Sequence, residues 1–310
     1  MTRRRIVVLG KNALAVEGLR TVLATGDDVI LALADPSDDG EDGWQPSFRR
    51  FATAAGVRVH ATSDINDPAF VAEIAAMHPD FLLSFQAAQL LKAPLIGTPA
   101  MGALNLHFGP LPRYRGVAPI AWAIINGETM TGVTLHHIRV GVDNGPIISS
   151  KTVSIGPEDT GRAVYDRCAE AGVTLFRESW PRVRRETPPG VPQSQDEVLY
   201  YNRYSIDFSQ RSVSWRGDCA AIANWMRALI FPPFQFPVTS IGRSQLEIRS
   251  VRWNRLPHRG RPGEILAVAD EGITVAAPGG QITLSLGRAG ADLDPTDFVR
   301  LGITTGATFS

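Results

Sequence analysis

The sequence is poor in cysteine, lacks any long apolar run and carries no net charge. Its 310 residues include two cysteines, Cys168 and Cys219, whose wide separation matches neither a zinc-binding nor a redox motif. A disulfide-stabilised secreted fold is therefore not expected, and this cysteine content fits a reducing cytoplasm. The apolar run after MTRRR is too short for a signal peptide, and no run reaches the length of a membrane span. We expect a cytoplasmic protein that does not enter a membrane.

The charges of the chain balance, because 31 lysines and arginines are matched by 31 aspartates and glutamates. A formal net charge of zero gives no overall attraction for nucleic acid or for an anionic membrane, although it does not rule out a local basic patch.

A glycine-rich dinucleotide fingerprint is also missing. The chain opens with RIVVLG, which is typical of a buried strand, but the following GKNALAVEG contains only Gly10 and Gly18. The closely spaced glycines that let a backbone approach a pyrophosphate are absent. The sequence therefore disfavours a nicotinamide-dependent oxidoreductase.

Strand-like and helix-like segments alternate over residues 1–185, which predicts an α/β domain with a doubly wound, mostly parallel sheet. The proline-rich, aperiodic stretch over residues 186–204 predicts a linker. Residues 205–310 contain one helix, DCAAIANWMRALI, and then short strands separated by tight turns, which predicts a small β-rich, barrel-like (OB-like) domain.

Two polar residues interrupt the strand GALNLH close to its carboxyl end. Asn105 and His107 are two positions apart, so both side chains leave the same face of an extended strand. Ligands of doubly wound sheets bind outside the carboxyl ends of the strands. An asparagine amide can stabilise a developing oxyanion, and a histidine beside it can polarise the same carbonyl or move a proton. The alternative is a partly buried histidine with an ordinary hydrogen bond and an asparagine that precedes a turn.

Asp143, in a glycine-flanked turn between two predicted strands, is the acid best placed to orient the imidazole. Metal binding is a further alternative, since His136 and His137 follow on a nearby strand. Adjacent strand residues point to opposite faces, so at most one of the two could join His107 and Asp143. No short metal-ligand motif is present, and no metal is expected.

The stretch LNLHFGPLPRYRGVAPIAWAIINGETMTGVTLHHIRVGVDNGPII resembles the core of the 10-formyltetrahydrofolate-dependent formyltransferases. The shared pattern is N-x-H, then L-P-x-[YW]-R-G, then a glycine-flanked aspartate. RALIFPPF and PGEILAVADEGITVAA are similar to the C-terminal domain of the same family. The resemblance implies a Rossmann-like formyltransferase domain, 10-formyltetrahydrofolate as co-substrate and direct attack of an amine on the formyl carbon.

Carried over residue by residue, the resemblance implies that Asn105, His107 and Asp143 are the catalytic residues. Asn105 and His107 would stabilise the oxyanion, and Asp143 would orient the imidazole and help to remove the amine proton. The expected folate contacts are Phe85, Gln86, Leu90, Pro110, Leu111, Arg113, Arg115, Gly116, Arg139, Val140 and Gly141. Two departures, FGPLP where many members have serine and leucine before LP, and DNGPI where many have D-[AT]-G-D, lie beside this predicted folate site.

The acceptor is predicted from charge. Residues 35–42 carry five acids and no lysine or arginine, where methionyl-tRNA formyltransferases typically carry a basic insertion. A solvated surface loop without a ligand would have the same composition. We expect a small amine, either linked to a sugar nucleotide or derived from an amino acid, and leave a homodimer open.

Three alternatives remain at this stage. One is methionyl-tRNA formylation, which would need a basic patch on the C-terminal domain. The arginines available for it are Arg243, Arg249, Arg252, Arg255, Arg259 and Arg261. The others are hydrolysis of formyl-folate by the same three residues and a non-catalytic folate-binding module.

Overall fold

The computed structural model describes residues 3–60 and 62–310. Contacts divide the chain into two compact units. The first comprises Met1–Pro119, Gly132–Val153 and Arg167–Asn202, and the second comprises Ile120–Thr131, Ser154–Asp166 and Arg203–Ser310. The stretch over residues 186–202 therefore groups with the first unit. The domain limits predicted at residues 185 and 205 remain a prediction.

The first unit is built on a mostly parallel sheet, as the sequence predicts. Its strands, in chain order, are β1 (Arg5–Gly10), β2 (Asp28–Ala34), β3 (Val59–His60), β4 (Phe81–Phe85), β5 (Gly102–His107), β6 (Arg115–Gly116), β7 (Met130–His137), β8 (Ile147–Ser154) and β9 (Tyr200–Tyr201). Seven of them form one sheet in the order β3-β2-β1-β4-β5-β7-β8. β1 to β5 pair in parallel, and β7 runs antiparallel to β5. β6 and β9 form a separate parallel pair.

Four helices lie within this unit: α1 (Asn12–Ala24), α2 (Phe48–Ala54), α3 (Pro68–Ala76) and α4 (Ala93–Ile96). All of α5 (Pro119–Ile125) except its first residue groups with the second unit, and α6 (Gly161–Glu186) contributes residues to both units. Every residue of β4 is buried. Strands covered on both faces have no polar side to expose, and for this reason they have continuous apolar sequences.

The two glycines after β1 serve close packing. A Cβ at Gly10 would lie 2.5 Å from the carbonyl oxygen of Phe85, and one at Gly18 would lie 2.6 Å from the Phe85 ring. Both positions therefore exclude a side chain because β4 and α1 pack against β1 here.

The second unit contains α7 (Cys219–Leu229), β10 (Val238–Ile241), β11 (Ser244–Asn254), β12 (Ile265–Ala269), β13 (Gly272–Ala277), β14 (Gly280–Arg288), β15 (Ala291–Asp292) and α8 (Pro295–Leu301). The strands form an antiparallel sheet in the order β10-β11-β14-β13-β12, with β15 paired to β14. This confirms the β-rich domain. Burial alternates along most of β14, so one face packs on a core to which Ile222 and Met226 of α7 contribute. No helix within the described ranges is long and apolar enough to cross a bilayer.

Candidate active site

Asn105 and His107 lie at the carboxyl end of β5, in the interior of the seven-stranded sheet. His107 is the last residue of the strand and is buried, whereas Asn105 is partly accessible. In the antiparallel register with β7, Asn105 lies opposite His136, and His107 lies opposite Thr134. β7 therefore brings a second histidine to the pair that the sequence singles out.

A single carboxylate connects the two predicted residues of β5. Asp143 Oδ1 accepts a hydrogen bond from Asn105 Nδ2 at 3.3 Å, and Asp143 Oδ2 lies 3.5 Å from His107 Nδ1. The backbone N–H of Gly116 also donates to Asp143 Oδ2, at 3.0 Å. Asp143 adopts a left-handed backbone conformation, with φ of 46°. The structure thus brings Asn105, His107 and Asp143 together.

The tautomer of His107 follows from its partners. Nε2 lies 2.8 Å from the carbonyl oxygen of Tyr114, which can only accept, so Nε2 carries a proton. In the neutral ring Nδ1 is then a lone pair beside the Asp143 carboxylate. Burial lowers the pKa of His107, and this outweighs the upward effects of Asp143 and of the Tyr114 carbonyl. The imidazole is therefore neutral near pH 7.

Asp143 is ionised in the same environment. Burial alone raises the pKa of this carboxyl. The opposing effects of the nearby His107 and His136 side chains and of the Gly116 N–H are together larger, and they hold the pKa of Asp143 well below its usual range. The charged Asp143 carboxylate therefore lies next to the neutral His107 ring, whose Nδ1 can accept one more proton.

His136 is the member of the histidine pair that reaches this cluster. Its Nδ1 lies 2.8 Å from the carbonyl oxygen of His137 and so carries the proton in the neutral ring, while Nε2 lies 3.2 Å from Asn105 Nδ2 and can accept from it. The two amide hydrogens of Asn105 are thus directed at Asp143 and His136. His137 points to the other face, where its Nε2 lies 2.7 Å from the carbonyl oxygen of Pro188.

Gln193 is a site residue that the sequence analysis missed. Its side-chain amide is buried and donates to the carbonyl oxygens of Asp143 and Gly145, each at 2.8 Å. It lies in the stretch predicted as a linker and is 50 residues from Asp143. The surrounding sequence PQSQ is polar and has no periodicity, so no local pattern indicates this contact.

The predicted folate contacts fall into exposed and buried groups. Leu90 and Val140 leave 63% and 66% of their surface exposed. Arg113, Arg139 and Gly141 are exposed as well, and Gln86, Pro110 and Gly116 are partly buried.

Phe85, Leu111 and Arg115 are buried. Phe85 packs edge-on against Phe176 within the core of the first unit. The guanidinium of Arg115 donates to Gln193 Oε1 from Nε and Nη2, at 2.9 and 2.7 Å. Burial lowers the pKa of Arg115, and Asp143 opposes this effect. These three side chains support the loops around the cluster, and their roles toward folate remain predictions.

A cleft with an empty volume of about 330 Å³ opens where β1, β2 and β4 end. Gly10, Ala34, Asp35 and Gln89 are among the residues that line it.

Among residues 3–60 and 62–310, no group of three or more His, Cys, Asp or Glu side chains is arranged to hold a metal ion.

Comparison with known proteins gives consistent matches along the chain. The formyl transferase family model matches residues 34–179, and the formyl transferase C-terminal domain model matches residues 205–300. A methionyl-tRNA formyltransferase of Trichlorobacter lovleyi is 31% identical over 287 residues, which cover 92% of this chain and 89% of the relative.

Solved structures share the fold. The N-formyltransferase from Helicobacter canadensis, in complex with folinic acid and dTDP-3-aminofucose, is 24% identical with a TM-score of 0.75, and the match covers 94% of this chain and 100% of that one. WlaRD, a sugar 3N-formyl transferase crystallised with dTDP and 5-N-formyl-THF, is 24% identical with a TM-score of 0.74, and the match covers 95% and 99% of the two chains.

Proposed function

We propose that this chain, which belongs to the formyltransferase family, transfers the formyl group of 10-formyltetrahydrofolate to the primary amine of a nucleotide-linked amino sugar. Asn105, His107 and Asp143 carry the reaction in this proposal. The observation that supports it most strongly is the single Asp143 carboxylate, which lies within 3.5 Å of both Asn105 Nδ2 and His107 Nδ1.

10-Formyltetrahydrofolate supplies a formyl carbon that an amine can attack directly. The exposed side chains of Leu90 and Val140 offer apolar surface that an aromatic ring system would cover. Gly116 and Gly141, which have φ values of 92° and 115°, shape the backbone of the two loops beside Asp143. These four residues would hold the folate in this proposal.

The cluster can manage the proton that the amine loses. Formation of the new amide bond removes one proton from the attacking amine, and the folate nitrogen that leaves the formyl group gains one. A proton accepted at His107 Nδ1 produces an imidazolium between the Asp143 carboxylate and the Tyr114 carbonyl oxygen, both of which stabilise positive charge. His107 would then return this proton to the leaving nitrogen.

Asn105 supplies the donor for the oxygen that becomes negative. Its Nδ2 group is held by Asp143 and His136, at 3.3 and 3.2 Å. Both are long for hydrogen bonds, so an oxyanion in the site can replace one of them as acceptor at little cost.

The acidic segment over residues 35–42 supports a small acceptor. Asp38 accepts hydrogen bonds from Ser47 Oγ at 2.6 Å and from the Arg49 backbone N–H at 2.9 Å, and Asp42 accepts from the Ser47 backbone N–H at 2.9 Å. Asp42 also pairs with Arg50 at 3.3 Å and Asp35 with Lys11 at 4.0 Å. Five acids face these two cations, so the loop before α2 keeps a net negative charge that would repel the phosphates of an acceptor stem. Of the two solved structures with the same fold, one is a complex with dTDP-3-aminofucose and the other is a sugar 3N-formyl transferase.

Methionyl-tRNA formylation is the second candidate, favoured by the 31% identity to an enzyme of that name. It would need a basic surface on the second unit. Four of the six arginines available for it have an acidic partner: Arg249 with Glu247, Arg252 with Glu158, Arg255 with Asp218, and Arg261 with Glu264. Carboxylates at this surface cancel much of the charge that tRNA phosphates would need.

An acceptor panel tests the proposal. Purified protein and 10-formyltetrahydrofolate are mixed with a dTDP- or UDP-linked amino sugar, with charged initiator tRNA, or with no amine, and tetrahydrofolate release is followed. We expect release only with the amino-sugar nucleotide, together with a formamide product. Turnover with tRNA alone would contradict the proposed acceptor. Formate release without amine would indicate a hydrolase, and folate binding without turnover in every arm would indicate a binding module.

A further inference from the structure

Residues 187–202, here called the strap, are built into the first unit at several points. Val191 forms an antiparallel bridge with Ile147, and the Leu199 carbonyl oxygen accepts from the Arg115 N–H at 2.8 Å. β9 then pairs in parallel with β6. The strap therefore lies against both chain segments that border the cluster, the β6 loop and the loop between β7 and β8.

Gln193 uses its whole amide within this arrangement. Oε1 accepts two hydrogen bonds from Arg115, and Nε2 donates to Asp143 O and Gly145 O. A guanidinium can only donate and a carbonyl can only accept, so one orientation of the amide satisfies all four bonds and the flipped orientation satisfies none. The buried Gln193 amide is therefore fixed in one orientation, in which it connects Arg115 to the Asp143 turn.

The backbone that Gln193 holds is the one that places the Asp143 carboxylate. Asp143 has φ of 46°, a left-handed conformation that is uncommon outside glycine, asparagine and aspartate. Its neighbour Gly145 allows no alternative packing, because a Cβ there would lie 1.8 Å from the His137 carbonyl oxygen. Hydrogen bonds on both carbonyl groups keep this turn in place.

We infer that Gln193 is a positioning residue for the proposed reaction, an inference that rests on the function proposed above. It holds the Asp143 turn against β7, and by accepting from Arg115 it ties that turn to the strand whose Gly116 N–H contacts the Asp143 carboxylate. Removing the Nε2 donors frees the turn, and the carboxylate then moves away from His107 Nδ1. The chemical groups at the reaction centre are unchanged, but their alignment is lost.

Gln193→Glu tests this inference, because it keeps an oxygen for Arg115 and replaces the Nε2 donor by an oxygen that faces two carbonyl groups. We expect kcat to fall about 10- to 100-fold with little change in the KM for formyl-folate, since misalignment affects the chemical step. The readout specific to positioning is the pKa of His107, followed by NMR titration of the ring. Asp143 raises this pKa in the native arrangement, so its displacement lowers it further. The titration uses the uncharged variant Gln193→Asn, because the new carboxylate of Gln193→Glu would itself raise the pKa of His107.

Gln210→Glu is the matched control, because it adds the same charge at an exposed position outside the strap; its kcat and the His107 pKa should match those of the unmodified protein. Gln193→Asn, whose shorter amide cannot reach both partners, gives the same expected result if Gln193→Glu fails to fold. A folded Gln193→Glu protein with unchanged kcat, or a folded Gln193→Asn protein with an unchanged His107 pKa, would overturn the inference. If the unmodified protein formylates no amine, the proposed function fails, whereas the His107 titration still tests the role of Gln193.

Discussion

Asp143→Asn is expected to lower kcat about 10³-fold in the formyl-transfer assay, within the range that general acid–base groups contribute. Asparagine tolerates the left-handed φ of 46° found at this position and is nearly isosteric with aspartate, so the turn should keep its shape. The variant removes the negative charge that would stabilise a proton on His107 Nδ1, 3.5 Å away. The loss should therefore appear in kcat and leave folate binding nearly unchanged.

The pH dependence of the residual activity gives a second result for this variant. The pKa of His107 is already below its usual value of 6.5 because the ring is buried, and Asp143 is a cause that raises it. In the unmodified protein the acidic limb of kcat that reports His107 should therefore have its midpoint below pH 6.5. Without the carboxylate the pKa of His107 falls further, and the acidic limb of Asp143→Asn should lie at lower pH than that of the unmodified protein.

Asp166→Asn is the matched control for Asp143→Asn. Asp166 lies on the exposed surface of α6, where it pairs with Arg162 one helical turn away. Its replacement should change kcat by less than about twofold, because exposed pairs contribute little. An Asp143→Asn protein that turns over as fast as Asp166→Asn would show that the carboxylate takes no part in catalysis.

Gly116→Ala is expected to lower kcat about 10²-fold or more and to destabilise the first unit. A Cβ at this position would lie 2.1 Å from the Tyr201 carbonyl oxygen, and the residue has φ of 92°. The added methyl group must push β6 away from β9, which moves the Gly116 N–H from its 3.0 Å contact with Asp143 Oδ2. Steady-state kinetics and urea unfolding measure the two effects.

Gly56→Ala separates the backbone effect from the steric effect. Gly56 also has a positive φ, 72°, but a Cβ there would meet no atom within 4 Å. Its replacement should reduce the free energy of unfolding by about 1–2 kcal/mol through the left-handed conformation alone and should leave kcat unchanged. Equal loss of activity in both variants would mean that Gly116 acts through global stability.

Short-range patterns were sufficient to predict the sheet and the cluster of Asn105, His107 and Asp143. Apolar runs indicate buried parallel strands such as β4. The spacing of Asn105 and His107 places both residues on one face at the end of a strand. The alternation of side chains along β7 also limited the histidine pair to one member in the cluster, which is His136. These features depend on periodicities of a few residues, which a single sequence displays directly.

The features that the sequence did not predict depend on contacts between segments far apart in the chain. Gln193 contacts Asp143 across 50 residues, and β9 contains two residues, too few for any strand pattern. The strap is rich in proline and polar residues, a composition that a flexible linker shares with a segment held by hydrogen bonds to its surroundings. The sequence also did not show where burial ends after β4. Phe85 is buried in the core, whereas Leu90, five positions later, is exposed.

Turnover of His107→Ala tests the central claim most directly. With 10-formyltetrahydrofolate and an amino-sugar nucleotide that the unmodified protein formylates, product is measured in a single turnover at saturating enzyme, and folate binding is measured separately. We predict a folded protein that binds folate and forms no detectable formamide, because the ring that accepts the amine proton is gone. Product formation at a rate near that of the unmodified protein would contradict the account.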